Sequence, residues 1–529
     1  VTSYGLLLAF AFFLFFYNLD GRLLWGDETE TATLARNVLR FGYPKTFDGL
    51  NHISLYGTSV DNAGNAWVWS PWLQEYVAAA SFSLFGATTW AARAPFALIG
   101  WCCVPLLGWV IYRIYRQHRV ALAAMALLAS SEIFLLHARQ CRYYSISVLA
   151  EILFVYAIYQ WLANHRNARW LLLLSLLIEF YSNYIVAVAN LPVLLLLAWT
   201  LYRREKRTLL PLALTLVLLA VLALPWIIYA HIWHQAGSLS QEDLSTKLAY
   251  FLTEFNFHFA PLAIGLLPLI AWLNRKLRLG STPPSPDLGA ATDADQPDNH
   301  AARLDQPATA TIRLFEWHML VLLPGCALIM AIPPGGFVRY LLPLLPTACL
   351  LSAVWIFRYL RWRYVAVGTI LTLCLTNALA LGPGYPWRGD HQLRWPLFDF
   401  IGSLTVPYQN RLSGVLAYLN RATQPGQTIF VFDPEFPLIF YTRCQIIDGR
   451  LLGTVPPARF PDWILSESAS GTVGMQPLEL PANLASTYQT ITLSVPASAR
   501  LGCIPDADVY EYHTAPLAPY VLFKRKDIP

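Results

Sequence analysis

The sequence predicts an α-helical polytopic membrane protein of about eleven transmembrane helices with a small C-terminal α/β domain outside the membrane. Three observations lead there. Of 529 residues, 56% are hydrophobic and 13% charged, where a soluble domain carries about 25% charged residues. Apolar runs of spanning length recur from Tyr4 to beyond Val365. After about Leu381 the chain becomes less apolar and alternates short strand-like runs with Pro and Gly.

The expected spans begin near Tyr4, Pro95, Val120, Tyr144, Trp170, Ile185, Leu209, Phe257, Leu314, Tyr340 and Val365. Val1 to Leu19 lacks a basic leader and a small-residue cleavage site, so it reads as an anchor rather than a removable signal. Every second connection is Arg-rich: Arg113, Arg116 and Arg119; Arg166 and Arg169; Arg203, Arg204, Lys206 and Arg207; Arg275, Lys276 and Arg278; Arg358, Arg361 and Arg363. The positive-inside rule puts these connections in the cytoplasm and the low-charge ones outside. That alternation requires the apolar run Trp72 to Phe85 to lie along the outer surface, with Trp67, Trp69 and Trp72 as headgroup anchors.

Residues 1–382 then form the transmembrane module, with 20–93 as its first outer loop, and 280–310, rich in Pro, Asp, Ala and Thr, as a disordered cytoplasmic loop. Residues 383–529 form the outer domain, with a helix at Arg411 to Arg421 and strands at Thr428–Phe432, Gln445–Ile447, Gln489–Val495 and Tyr520–Lys524. Cys444 and Cys503 are the only cysteines of this tail, so a disulfide or two free thiols both fit.

Several functions are excluded. A net charge of +5 spread in short clusters is a poor footprint for nucleic acid. The eight cysteines contain no C-x-x-C pair, and His52, His231, His234 and His258 show no repeated ligand spacing. No metal site is assigned, and a divalent ion remains an option without a defined ligand set.

Asp27, Glu28, Glu30, Asp48, Asp61 and Glu75 gather in the outer loop, and Asp27-Glu28 stands out because it follows the first span by about two helical turns. A helix from Thr29 to Arg40 appears in the pattern, so the bland reading makes Asp27 its N-cap. Position argues for more, since an ionisable group at the membrane surface can meet a substrate whose lipid tail stays in the bilayer. Transfer of a group from a phosphate requires a base for the acceptor proton and cations for the departing phosphate. Arg139 and Arg142, in His137-Ala138-Arg139-Gln140-Cys141-Arg142-Tyr143-Tyr144, would share a helix face and offer two guanidiniums. Their bland reading is headgroup snorkelling beside an aromatic belt. Arg339, in Gly335-Gly336-Phe337-Val338-Arg339-Tyr340, is a third outward arginine.

These runs resemble the GT-C superfamily of membrane glycosyltransferases, in the branch of protein O-mannosyltransferases and aminoarabinose transferases. The likeness spans Leu6 to Leu381 and rests on Trp25-Gly26-Asp27-Glu28-Thr29-Glu30-Thr31-Ala32, on Phe85-Gly86 with Ala91-Ala92-Arg93-Ala94-Pro95, and on Arg139 to Tyr144. Where relatives carry Lys-Pro-Pro-Leu or His-Pro-Pro-Leu, this chain has Trp69-Ser70-Pro71-Trp72-Leu73, so aminoarabinose transfer is not assigned.

The resemblance implies a GT-C-like fold and a glycosyltransferase moving a hexose or pentose from a polyprenyl-phosphate donor to a lipid, glycan or protein acceptor. Asp27 would activate the acceptor and Glu28 would orient it or Asp27. Arg139, Arg142 and Arg339 would bind the donor phosphate, and Tyr143, Tyr144, Tyr340, His52 and Asp61 would contact substrate. The expected setting is a bacterial inner membrane with the tail in the periplasm, and no protein partner follows. Two rival readings stand beside it. Glu132, Glu151 and Glu179, carboxylates within apolar segments, suit a transporter or lipid flippase. A non-catalytic accessory subunit could keep the same fold.

Overall fold

The computed structural model describes residues 2–53, 64–204, 206–233, 243–277, 309–332, 337–381, 393–431, 435–448, 460–465, 486–498 and 510–528. The loop expected at 280–310 therefore lies almost wholly outside the described residues, as do Asp61, His234 and Cys503.

The chain opens with α1 (Thr2–Phe16), a left-handed Asn18 and a short extended segment leading into α2 (Gly26–Phe41). Two short helices frame the outer loop: α2, and α3 (Leu73–Phe85), which packs between α2 and α4 (Thr89–Tyr115). At 13 residues α3 is too short to cross a bilayer. Next come α5 (His118–Ser130), α6 (Glu132–Ala138), α7 (Tyr144–Leu162), α8 (Ala168–Ala189), α9 (Leu191–Trp199) and α10 (Leu210–Ala230). The membrane part continues through α11 (Leu244–His258), α12 (Leu262–Gly265), α13 (Leu267–Leu277), α14 (Thr309–Met330), a 3-10 turn at Val338–Leu344 leading into α15 (Leu345–Tyr359), and α16 (Arg363–Leu375).

Six of these helical stretches are long and apolar enough to cross a membrane, or up to eight if each of two sharply bent pairs is one span. The bends are 63° between α5 and α6 and 90° between α11 and the stretch Leu262–Asn274, which runs through α12 into α13. Helices α1 and α16 are apolar but shorter. Eleven separate full-length spans are not found among the described residues. The segment expected from Ile185 shows why: α8 runs on past a kink at Asn183, and α9 has only nine residues before a π turn at Thr200–Arg204.

Buried polar contacts tie the bundle together. Asn190 donates to both Glu151 and Glu179, at 3.0 and 2.9 Å, linking α7 and α8 to the start of α9. Arg358 of α15 grips Glu316 of α14 through its two terminal guanidinium nitrogens, at 2.6 and 2.5 Å, and Tyr115 of α4 donates to the same carboxylate. Two of the three apolar-segment carboxylates named above, Glu151 and Glu179, thus have interhelical partners.

The tail folds as α17 (Pro396–Thr405), α18 (Arg411–Ala422), β1 (Thr428–Val431), α19 (Glu435–Tyr441), β2 (Gln445–Asp448), β3 (Trp463–Leu465), β4 (Tyr488–Pro496) and β5 (Leu517–Arg525). The strands form one mixed sheet, ordered β2-β1-β3-β5-β4, parallel at β1–β2 and β1–β3 and antiparallel elsewhere. Leu412, Val415, Leu416 and Leu419, spaced at helical period on α18, pack on Ile429, Trp463 and Leu522 of the sheet. Cys444 is buried, its thiol bonded to Thr423 and the Gln424 carbonyl, while Cys503 lies outside the described residues.

The tail docks on the outer loop. Asn51 donates to the Cys444 carbonyl at 3.1 Å and accepts from Ile446 N–H at 2.7 Å, capping the β2 edge. Tyr441 of α19 accepts from Leu24 N–H at 2.9 Å and bonds Thr89 at 2.8 Å. Trp67 is fully buried beside Leu34, Phe436 and Ile439. It is a core residue between loop and tail, not the headgroup anchor its composition suggested.

Small residues permit the closest helix approaches. A Cβ added at Gly100 of α4 would stand 2.7 Å from Phe15 Cε1 and 2.8 Å from Ala138 Cβ. Gly100→Ala should therefore cost about 1–3 kcal/mol, read as a lower thermal midpoint in detergent. Gly368→Ala in α16, where the new methyl meets nothing within 4 Å, should leave the midpoint unchanged or raise it. Equal midpoints for both variants would contradict this packing.

Candidate active site

Two arginines shape the turn between α1 and α2. Arg93 of α4 donates to the carbonyls of Leu19, Arg22 and Leu23 at 3.0, 2.8 and 3.0 Å. It also meets both Glu28 oxygens, Nε to Oε1 at 2.8 Å and Nη2 to Oε2 at 2.6 Å. Glu28 Oε1 further accepts from Cys141 N–H at 2.9 Å, and Oε2 from Trp25 N–H at 3.3 Å. Arg139 donates to Leu14, Tyr17 and Asn18 carbonyls at 2.9, 2.8 and 3.2 Å, satisfying the last turn of α1 that no helix partner reaches.

With the turn held, α2 starts at Gly26 and Trp25 is its N-cap. Asp27 is therefore inside the first turn rather than capping it, and its side chain is 32% exposed. Two guanidiniums flank it: Arg142 Nη2 at 3.7 Å and Arg339 Nη2 at 3.8 Å from Oδ2. They come from the α6–α7 turn and from the 3-10 turn before α15, so three distant stretches of chain converge. Arg142 is anchored by Nη1, which donates to Glu30 Oε1 at 2.8 Å, Thr31 Oγ1 at 3.0 Å and the Asp27 carbonyl at 3.2 Å. The Arg339 guanidinium stacks on Phe337, 4.0 Å from the ring centre, and lies 5.4 Å from Trp25.

A second layer of carboxyls lies behind this group. Glu30 is fully enclosed, and desolvation raises its carboxyl to about 7, with Arg142 pulling the other way. Desolvation likewise raises Glu75 of α3 to about 8, against a hydrogen bond from Gln74. Gln74 Nε2 holds Glu75 at 2.9 Å, and Gln74 Oε1 accepts from Tyr143 N–H at 2.9 Å. Thus α3 supports the same turn that carries Arg142.

The sequence-predicted residues separate into two groups. Asp27, Arg142 and Arg339 converge, with Tyr143 and Tyr340 half-buried on the two turns that bring the arginines. Glu28 is fully buried with both oxygens taken, so it can reach neither Asp27 nor an acceptor. Arg139 and Arg142 do not share a helix face, because α6 ends at Ala138 and α7 begins at Tyr144. Arg139 instead lines an open cleft with Arg22, Arg93 and Tyr510, to which Asp27, Arg142 and Arg339 do not contribute.

Tyr144 is buried with its ring edge-on to His137, 5.1 Å away. His52 is exposed on the outer loop, in an isolated bridge with Phe47. Among the described residues no three His, Cys, Asp or Glu side chains group as metal ligands. Sequence reasoning counted Glu30 and Glu75 among the acidic residues of the outer loop without giving them a role, missed Gln74, and saw Arg93 only as part of a motif. A helical reading would have found Glu30 and Thr31, which lie three and four residues after Asp27 on the same face.

The family described as dolichyl-phosphate-mannose-protein mannosyltransferase matches residues 70–229, a stretch that holds Arg142 but neither Asp27 nor Arg339. No curated protein matches the chain by sequence. The chain is similar in structure to ArnT from Cupriavidus metallidurans bound to undecaprenyl phosphate, with a TM-score of 0.59 and 15% identity over 99% of this chain and 98% of that one. The apo form of the same protein gives 0.56 and 16%, with the same coverage. The archaeal oligosaccharyltransferase AglB from Archaeoglobus fulgidus, in complex with an inhibitory peptide and a dolichol-phosphate, superposes more loosely, at 0.49 and 12% over 84% and 64%. Over nearly its whole length this chain therefore shares the fold of the ArnT structures, as its sequence resemblance leads one to expect.

Proposed function

We propose that the protein is an inverting glycosyltransferase that takes its sugar from a polyprenyl phosphate at the outer face of a bacterial inner membrane, with residues 383–529 in the periplasm. The observation that carries this reading is Asp27, a part-exposed carboxylate set between the guanidiniums of Arg142 and Arg339. The undecaprenyl phosphate in the ArnT structure supports the donor class, and the Arg-rich alternate connections support the side.

In this mechanism the acceptor hydroxyl or amine attacks the anomeric carbon of the sugar. Asp27 takes its proton as the new glycosidic bond forms. The bond from the anomeric carbon to the phosphate oxygen breaks, and that oxygen leaves with the electron pair as polyprenyl phosphate. Arg142 and Arg339 stabilise the charge gathering on it. Glu30 and Thr31 fix Arg142 through Nη1, leaving Nη2 directed to the reacting side. Tyr143 and Tyr340 offer aromatic faces to the sugar or the first prenyl units. The sugar and the acceptor are not specified by these groups.

Asp27→Asn, nearly isosteric, should lower transfer roughly 10²–10⁴-fold while leaving the thermal midpoint unchanged. Radiolabelled sugar transfer from a polyprenyl-phosphate donor measures it, and an active variant ends the mechanism. Arg142→Ala or Arg339→Ala should cut kcat roughly 10²–10³-fold and weaken donor binding. Arg139→Lys should instead lower the midpoint with little change in donor KM, because Arg139 serves the α1 carbonyls.

Stability should depend on pH through Glu30 and Glu75. Below about pH 4.5 both carboxyls are protonated whether the chain is folded or not. As pH rises, the unfolded chain releases protons that burial keeps on the folded carboxyls, so stability falls until about pH 7 for Glu30 and about 8 for Glu75. Midpoints measured across this range should fall for the wild type and flatten in Glu30→Gln and Glu75→Gln. A wild-type midpoint that rises across the range would contradict the burial argument.

A further inference from the structure

The two sharp helix bends share the walls of one cavity. Ser130 and Glu132 at the α5–α6 bend, His258 and Pro261 at the α11–α12 bend, and Ser352 of α15 line an open space of about 690 Å³. Leu127, Phe257 and Leu373 supply apolar wall. None of its lining residues belongs to the group around Asp27. Broken helices that meet at a cavity expose backbone polar groups and commonly mark a ligand site in membrane proteins.

The chemistry of the walls selects a class of ligand. Glu132 has a side chain only 3% exposed, and its Oε1 meets Arg394 Nη2 at 3.3 Å. Its Oε2 is enclosed and has no hydrogen-bond partner, an arrangement that costs about 1–3 kcal/mol or more for a charged group. Arg394 is shared with Asp399 at 3.3 Å, and His258 pairs with Glu254 at 3.4 Å. The arginine and the histidine at this wall are thus each already engaged by a carboxylate. An anionic ligand is disfavoured. A bare metal ion is not suited either, since the described residues give no group of three ligating side chains and much of the wall is apolar. A cation that also donates hydrogen bonds and carries an apolar part fits each of these features.

We propose that this cavity binds the primary ammonium group of a membrane amphiphile, with Glu132 as its acceptor and Leu127, Phe257 and Leu373 against its apolar part. The site is separate from the transferase reading and does not depend on it. It lies where α17, the first described helix of the tail, meets α16, so an occupant braces the membrane bundle against the tail.

The test uses the full chain in detergent, with thermal midpoint and native mass spectrometry as readouts that need no transfer activity. Phosphatidylethanolamine, phosphatidylcholine and phosphatidylglycerol of identical acyl chains are added in turn, with ethanolamine alone as a further arm. Phosphatidylethanolamine should bind roughly tenfold more tightly than either of the others, because the choline headgroup has no N–H and the glycerol headgroup lipid is anionic. Glu132→Gln should remove the preference while the chain still elutes as a folded species. Equal binding of the three lipids to the wild type, or an undiminished preference in Glu132→Gln, would overturn the proposal. So would stabilisation by ethanolamine alone that matches the lipid. If Glu132→Gln fails to fold, Ser352→Phe, which puts a bulky ring at another lining position, should abolish the preference instead, and a retained preference there overturns the proposal equally.

Discussion

The contact between Arg93 and Glu28 is the constraint from which the rest of the outer face follows. Both groups are sequestered, and losing one partner of such a pair costs about 3–5 kcal/mol, comparable with the net stability of many proteins. Its geometry matters more than its energy. By gathering three carbonyls of the turn after α1, Arg93 determines where the chain enters α2 and hence where Asp27 points. Glu28 holds Cys141 N–H at the same time, which sets the α6–α7 turn one residue before Arg142. One ion pair thus fixes both the carboxylate and one guanidinium of the site.

The distances around Asp27 differ from those around Glu28 in an informative way. Glu28 is gripped at hydrogen-bond length, whereas the two arginines stand off Asp27 by 3.7 and 3.8 Å. Guanidiniums at that separation lower the electrostatic cost of an anion nearby but do not consume the carboxylate's lone pairs. Arg142 can remain there because Glu30 has already taken its other nitrogen. Adjacent acids in the sequence therefore serve opposite ends: one is buried to hold the scaffold, the other is left accessible.

Much of this was legible in the sequence, and the failures have physical causes. The helical face of Leu412 to Leu419 and four of the five strands are local patterns, visible in the alternation of their own residues, whereas Asp27 stands out only by its place after the first span. The three-residue β3 is too short to carry a pattern, and it exists because β1 and β5 flank it. Glu28 was misread because neighbours on a helix point about 100° apart, so adjacency in the chain implies no common task. Arg139 was misread on the assumption of continuous helix through a turn. Trp67 was misread because an aromatic beside an apolar run has the same composition whether it faces headgroups or a docked domain. Only tertiary context separates those cases.

The clasp between Asn51 and the β2 edge has a consequence for biogenesis. Its two partners are 395 residues apart in the chain, so at roughly 5–20 residues per second the ribosome needs about 20–80 s to deliver the second after the first. Through that interval the loop lacks the surface that covers Trp67 and the Asn51 amide. A nascent chain interrupted before the tail emerges would hold its spans in the membrane yet leave this loop uncovered. The loop would then present unsatisfied polar and aromatic groups to any protease or chaperone within reach, and a complete chain would withdraw them.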